Sequence, residues 1–180
     1  RREDGAYKTS REQAEAQWFF PGVKGVQCAA PSWPGFECDK AMTQSSGEAS
    51  WHTENGNGVN NGGKVEMTFD FQKVYTLSGW KEQCSSTWGN SCCLKDFKIQ
   101  KSQSENGPWE DVLSGRADQA LDKYVAGSTF SWTPTAARYW KLVMKSNHGN
   151  TDAGGIITLM NMEFQGAEVA EGGSTMLYTH

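Results

Sequence analysis

The sequence predicts an all-β fold: an antiparallel β-sandwich of the jelly-roll type with about eight strands. Three observations predict it. Aromatic residues are abundant (8 Trp, 8 Phe, 5 Tyr) and 20 glycines are spread along the 180 residues, a balance that suits sheets and turns over a helical bundle. Several segments alternate apolar and polar residues with the period of two that a half-buried strand requires. Between them lie clusters of Gly, Asn, Pro and Ser, which reverse a chain's direction.

Taken in order, residues 1–24 read as an N-terminal extension, 25–166 as the sandwich and 167–180 as a polar C-terminal tail. Within the extension, Ser10–Gln17 has the pattern of a short helix capped by Ser10. Trp18-Phe19-Phe20-Pro21-Gly22 ends it, with aromatics placed to fold back onto the sandwich. A first strand is expected over Val23–Ala29, followed by the turn-rich run Pro31-Ser32-Trp33-Pro34-Gly35. Asn55–Gly63 is nearly all Asn and Gly and reads as a loop. Val65, Met67, Phe69 and Phe71 alternate with Glu66, Thr68 and Asp70, and Val74–Trp80 reads as the next strand. Lys81–Ser91 reads as a polar loop. Leu94–Gln100 alternates again, and Asn106-Gly107-Pro108 turns the chain into Trp109–Leu113. Later strands are expected over Thr129–Trp132, Ala137–Met144 and Ile156–Gln165.

Composition excludes several classes. Hydrophobic residues at 37% and charged residues at 21% are an ordinary globular balance, so a single domain with a sizeable core is expected. A net charge of −4 offers no attraction to a phosphate backbone, which argues against nucleic acid as a partner. No apolar run approaches the length that crosses a bilayer; Arg1–Gly5 contains no signal-peptide core, which excludes nothing, because such a start is equally that of a cut or mature chain. Catalysis needs paired carboxylates or a His–nucleophile pair in one pocket. Asp111, Asp118, Asp152 and the three His are scattered instead, and no nucleophile elbow, zinc-binding helix motif or phosphate loop is present. The expectation is a chain that is not an enzyme.

The five cysteines fall in two loop-like stretches, Cys28 to Cys38 and Cys84 to Cys93. Each stretch is short enough for a local disulfide, Cys28 with Cys38 and Cys84 with Cys92 or Cys93, which implies an oxidising, extracellular setting. The odd count leaves one thiol over, and reduced thiols throughout are the alternative. Zinc lacks the expected spacing, because Cys92 and Cys93 are adjacent and no His pair is nearby.

Four stretches, in order, carry a resemblance. Ala41–Thr53 ends in Ser50-Trp51-His52-Thr53, and Val65–Phe71 closes on an aspartate–hydrophobic pair. Phe97–Ser102 precedes Asn106-Gly107-Pro108-Trp109. Ala137-Arg138-Tyr139-Trp140-Lys141-Leu142 is followed by Met162-Glu163-Phe164-Gln165-Gly166. Together they resemble the discoidin, or coagulation factor V/VIII C-domain, family, and are similar to the family 32 carbohydrate-binding modules that share its galactose-binding-like jelly roll. The match spans roughly residues 25–166. The family's end-to-end cysteine pair is missing, since no Cys follows Cys93, which favours the carbohydrate-module side.

The resemblance implies a ligand site in the loops at one end of the sandwich. There an aromatic ring stacks on the apolar face of a sugar while polar side chains fix its hydroxyls. The matching loops offer Trp33 and Phe36, then His52, then Lys81, Trp88 and Asn90, then Asn147, His148 and Asn150. Lys81 stands nearest the family's usual arginine and lacks its bidentate fork, which weakens a galactose-type reading. Trp51 reads as core and Arg138 as framework, whereas His52 suits either a ligand contact or a loop hydrogen bond. A structural calcium is also implied, at Asp39, Thr43, Ser50 and Glu163, although Thr43 stands where the family has an aspartate.

Three functions follow as expectations. The first is a secreted or cell-surface glycan-binding module. The second is an adhesion module for phospholipid or protein, with Trp33, Phe36 and Trp88 as apolar spikes; acidic net charge counts against anionic lipid. The third is an intracellular scaffold, which reduced cysteines would favour.

Overall fold

The computed structural model describes residues 16–44, 50–54, 58–59, 63–84, 90–119, 127–151 and 154–170. Nine strands follow along these residues: β1 (Gln17–Phe19), β2 (Gln27–Ala29), β3 (Trp51–His52), β4 (Val65–Gln83), β5 (Asp96–Ser102), β6 (Glu110–Arg116), β7 (Thr129–Met144), β8 (Thr158–Leu159) and β9 (Asn161–Glu168). Every pairing between them is antiparallel.

Two long strands organise the sandwich. In β4 the alternation buries Val65, Met67, Phe69 and Phe71, is interrupted by exposed Gln72, Lys73 and Val74, resumes with Tyr75 and Leu77, and changes phase at a register shift between Leu77 and Gly79 so that Trp80 is buried. Gln72 has a left-handed φ of 63°, and its N–H donates to Asp70 Oδ1 at 2.8 Å, so the strand bends there. The first half of β4 lies between β2 and the second half of β7, which continues to β5 and β6. The second half of β4 lies between the first half of β7 and β9, with β1 added outside. The β4–β7 ribbon therefore belongs to both layers. Aromatic rings fill the space between them: Phe164 of β9 meets Phe69 at 5.4 Å and Phe71 at 5.5 Å, and Trp80 meets Phe97 of β5 at 4.9 Å.

The jelly-roll-type β-sandwich expected from the alternation is present, with boundaries that differ for local reasons. The segments Val65–Phe71 and Val74–Trp80 are one bent strand, and β7 runs unbroken through Pro134. That proline sits where the β4–β7 register shifts, between Leu77↔Thr135 and Gly79↔Ser131, a place that needs no ladder donor. Ile156–Gln165 is two strands, β8 and β9, which belong to different sheets. Only Gln27–Ala29 of the expected first strand is extended, because Pro21–Lys24 forms a 3-10 turn. Leu94 and Trp109 fall just before β5 and β6. The helix expected over Ser10–Gln17 lies outside the described residues except at its end, where Gln17 opens β1. β1 pairs with β9, so one edge strand of the sandwich lies within the 1–24 segment. Most of the tail, residues 171–180, lies outside the described residues.

Candidate functional site

The loop between β2 and the 3-10 turn Cys38–Ala41 is closed by a Cys28–Cys38 disulfide. Its tip carries Trp33 and Phe36. Main-chain hydrogen bonds lash this tip to β3: Trp33 N–H donates to His52 O at 2.9 Å, and His52 N–H donates to Phe36 O at 3.3 Å. Both rings also lean on the His52 ring, with centroids 5.8 Å away in each case. His52 is only 4% exposed, and its Nδ1 lies 2.7 Å from Thr53 O, a carbonyl that can only accept. Burial pushes the imidazole pKa below its ordinary value, so His52 is neutral at pH 7 and supports the two rings from beneath. Trp51, one residue earlier, points into the core and donates to Ser32 Oγ at 3.0 Å. Alternation along β3 thus divides the labour.

A second group gathers around the Cys84–Cys93 disulfide. His148 N–H donates to Cys93 O and Asn150 N–H donates to Ser91 O, both at 3.2 Å. Asn90 opens the 3-10 turn Asn90–Cys92, which Cys93 N–H closes by donating to Asn90 O. Asn147 is 6% exposed; its amide donates to the carbonyls of Asn150 and Ile156, and its oxygen accepts from Gly149 N–H. It staples its own loop. His148 Nε2 lies 3.0 Å from Ala117 O, tying this loop to the end of β6. Of the two thiols the sequence offered to Cys84, Cys93 forms the bond, and Cys92 remains a buried thiol.

Thr158 joins the two groups. It pairs with His52 across β3–β8, bridges to Cys93, and brings its Oγ1 to 3.9 Å from Cys84 Sγ. Trp33, Phe36 and His52 therefore share one end of the sandwich with Asn90, Asn147 and His148. Trp88 lies outside the described residues. Lys81 does not join them. It lies within β4, not in the loop expected from Lys81 onward, and its ammonium sits 4.1 Å from the Trp18 ring centroid and 4.0 Å from Glu163.

For calcium, the residues give a divided answer. Ser50 Oγ is fully buried and has no hydrogen-bond partner among the described residues, which suits a cation ligand. Asp39 and Thr43 are exposed on the neighbouring turn, whereas Glu163 faces Lys81. No cluster of three or more His, Cys, Asp or Glu side chains able to hold a metal occurs among the described residues.

One ionisable group escaped the sequence reading. Glu82 follows Trp80 by two and so points inward beside it; ending the strand at Trp80 hid this alternation. Burial pushes its carboxyl pKa up to about 7, against a hydrogen bond from Ser128 N–H at 3.1 Å.

Comparison with known proteins adds the family context. The F5/8 type C domain matches residues 26–159. A family 32 carbohydrate-binding module from C. perfringens NanJ, solved with galactose, superposes with a TM-score of 0.62 at 17% identity, covering 84% of this chain and 98% of that one. The Clostridium perfringens module CpGH89CBM32-5, in complex with GalNAc-β-1,3-galactose, gives 0.62 at 13% identity and covers 82% and 99%. The family 32 module of AlyQ, in complex with 4,5-unsaturated mannuronic acid, gives 0.58 at 17% identity and covers 77% and 92%. No curated protein sequence matches. At these identities the likeness is one of fold.

Proposed function

We propose, from the premise that the chain belongs to the F5/8 type C domain family, that it is a carbohydrate-binding module without catalytic activity, which meets its glycan at Trp33 and Phe36. One observation carries the reading: Trp33, 39% exposed, stands on a loop tip fixed by a disulfide and by main-chain bonds to His52. A solvent-facing indole held this firmly offers a flat apolar plate for a pyranose ring. Holding it in place beforehand reduces the conformational entropy lost on binding. Phe36, half-buried beside it, extends the plate, and His52 serves as its support. Affinity of a single site would be micromolar to millimolar, about −8 to −4 kcal/mol, so tight adhesion would rely on repeated display.

Two disulfides favour an oxidising compartment, hence a secreted or surface-exposed protein over an intracellular scaffold. No helix among the described residues is long and apolar enough to cross a membrane. A structural calcium is part of the proposal through Ser50 alone, and melting curves with calcium against a chelator test it; coincident curves remove it. The modules of similar fold were solved with neutral galactosides and with an unsaturated uronic acid, so the fold leaves the sugar open.

The deciding experiment is a glycan array probed with the chain and with Trp33→Ala. Retention on some glycans by the first and loss by the second is expected. An array that retains neither overturns the glycan reading, and equal retention by both misplaces the site.

A further inference from the structure

The larger sheet ends in an open edge. Strand β6 pairs with β5 and, among the described residues, with no strand on its other side. Every second N–H and C=O along such an edge points out of the sheet, available to another strand. The packing fixes which way each side chain of β6 faces. Leu113 lies opposite Ile99 and packs against the core. Gly115 faces inward too, because a Cβ there would stand 2.5 Å from the Phe97 ring. Asp111 faces outward, since its carboxylate accepts from Lys98 and Gln100, which alternate with buried Phe97 and Ile99 on β5. Ser114 and Arg116 flank Gly115, so they share that outer face, and both are exposed. Val112 is the extra residue of a bulge, because Ile99 and Gln100 are adjacent on β5 while their partners Leu113 and Asp111 are not. Arg116 forms no ion pair among the described residues.

Residues directly opposite each other in an antiparallel pair share a face. Two copies of β6 can therefore continue one sheet only where outward residues meet outward ones. Of the registers that satisfy this, the one with its two-fold at Ser114 brings opposite charges together. There Arg116 of each copy faces the bulge that carries the other copy's Asp111, and Gly115 of each faces the other's Leu113. We propose that β6 is a self-association edge, to which a second copy of this chain adds antiparallel about Ser114. The repeated match of cation to anion and of glycine to leucine favours a second copy over an unrelated strand. A contact of five paired residues buries less than the roughly 1,000 Å² of a stable interface, so the dimer is weak and reversible. In each copy β6 runs from the bend of β4 toward the loop end, where Ala117 O meets His148. The joined copies therefore point their loop ends in opposite directions. On the glycan reading such a dimer bridges two surfaces, but the edge itself does not depend on that reading.

Sedimentation of the intact chain without sugar, from about 10 μM to about 1 mM, tests the association. The average mass is expected to rise toward that of two chains. Ser114→Glu sets two carboxylates against each other at the axis while placing each beside Lys98 of its own chain. It should weaken association roughly fivefold with an unchanged melting temperature. Ser114→Cys tests the register directly, because opposed positions lie within disulfide reach across the axis. Mild oxidation should cross-link it faster than Ser104→Cys, an exposed control on the β5–β6 turn. A mass that stays at one chain throughout, a dimer that Ser114→Glu leaves equally strong, or equal cross-linking by the two cysteine variants overturns the proposal. None of these outcomes touches the glycan reading, which the array tests separately.

Discussion

Trp140 and Trp33 share a side chain and almost nothing else. Trp140 lies within β7, fully buried, with Nε1 donating to the Ala137 carbonyl at 3.2 Å. Trp33 sits on a loop tip whose position depends on one disulfide and a few main-chain bonds. In the layered body, each residue is placed by what it buries, and many neighbours share that task. At the loop end, each residue is placed by a particular bond. Removing a body residue should therefore damage stability, and removing an end residue should damage recognition.

The largest expected effect is in the body. Trp140→Ala should cost about 3–5 kcal/mol in urea unfolding, the range for deleting a buried aromatic. A loss below about 1 kcal/mol would break the contrast.

Glu82 sharpens it, being a body residue that lowers stability at neutral pH. Its folded pKa, about 7, lies above its unfolded value near 4.5, so the folded state holds the proton more tightly. Stability from this group is complete below pH 4.5 and falls as pH rises through 7. Glu82→Gln should be more stable than the parent by about 2–3 kcal/mol at pH 8, with little difference at pH 4.5. Chemical denaturation at the two pH values reads this directly, and equal differences at both would refute the buried-proton account.

Next comes the staple. Replacing Cys28 and Cys38 together by Ser should cost about 2–3 kcal/mol through the unfolded chain. Glycan retention should be lost in the folded variant, because the loop tip is no longer held. Full retention would show that the hydrogen bonds to His52 suffice. Smallest is Trp33→Ala, which should shift stability by no more than about 0.5 kcal/mol. A melting temperature that collapses instead would make Trp33 part of the framework.

The contrast also explains what the sequence disclosed. Strands such as Val65–Phe71 and Phe97–Ile99 announce themselves because each second side chain is buried, and a period of two is visible in a single chain. The bend at Gln72 is not announced, since a left-handed glutamine leaves no compositional mark and the Asx bond to Asp70 is common in ordinary turns. β1 and β3 are too short for a period to show. At the loop end, residue types were informative and roles were not. By residue type Asn147 suits a ligand contact and His52 either a ligand contact or a loop hydrogen bond, and only burial and hydrogen bonding show Asn147 stapling its own loop and His52 lying under two rings. The cysteine spacing left Cys92 and Cys93 equivalent until the backbone chose between them.

The bend in β4 has a consequence for how this chain tolerates length changes. Side chains on a strand swap faces with every one-residue step, so a single deletion ahead of Gln72 would turn Val65, Met67 and Phe69 out to water. Beyond the bend, Leu77 and Trp80 would keep their facing, because a separate run of partners on β9 sets their phase. Much as with a coding frame interrupted by a spacer, each arm must keep its own parity, and an error in one stays confined to that arm.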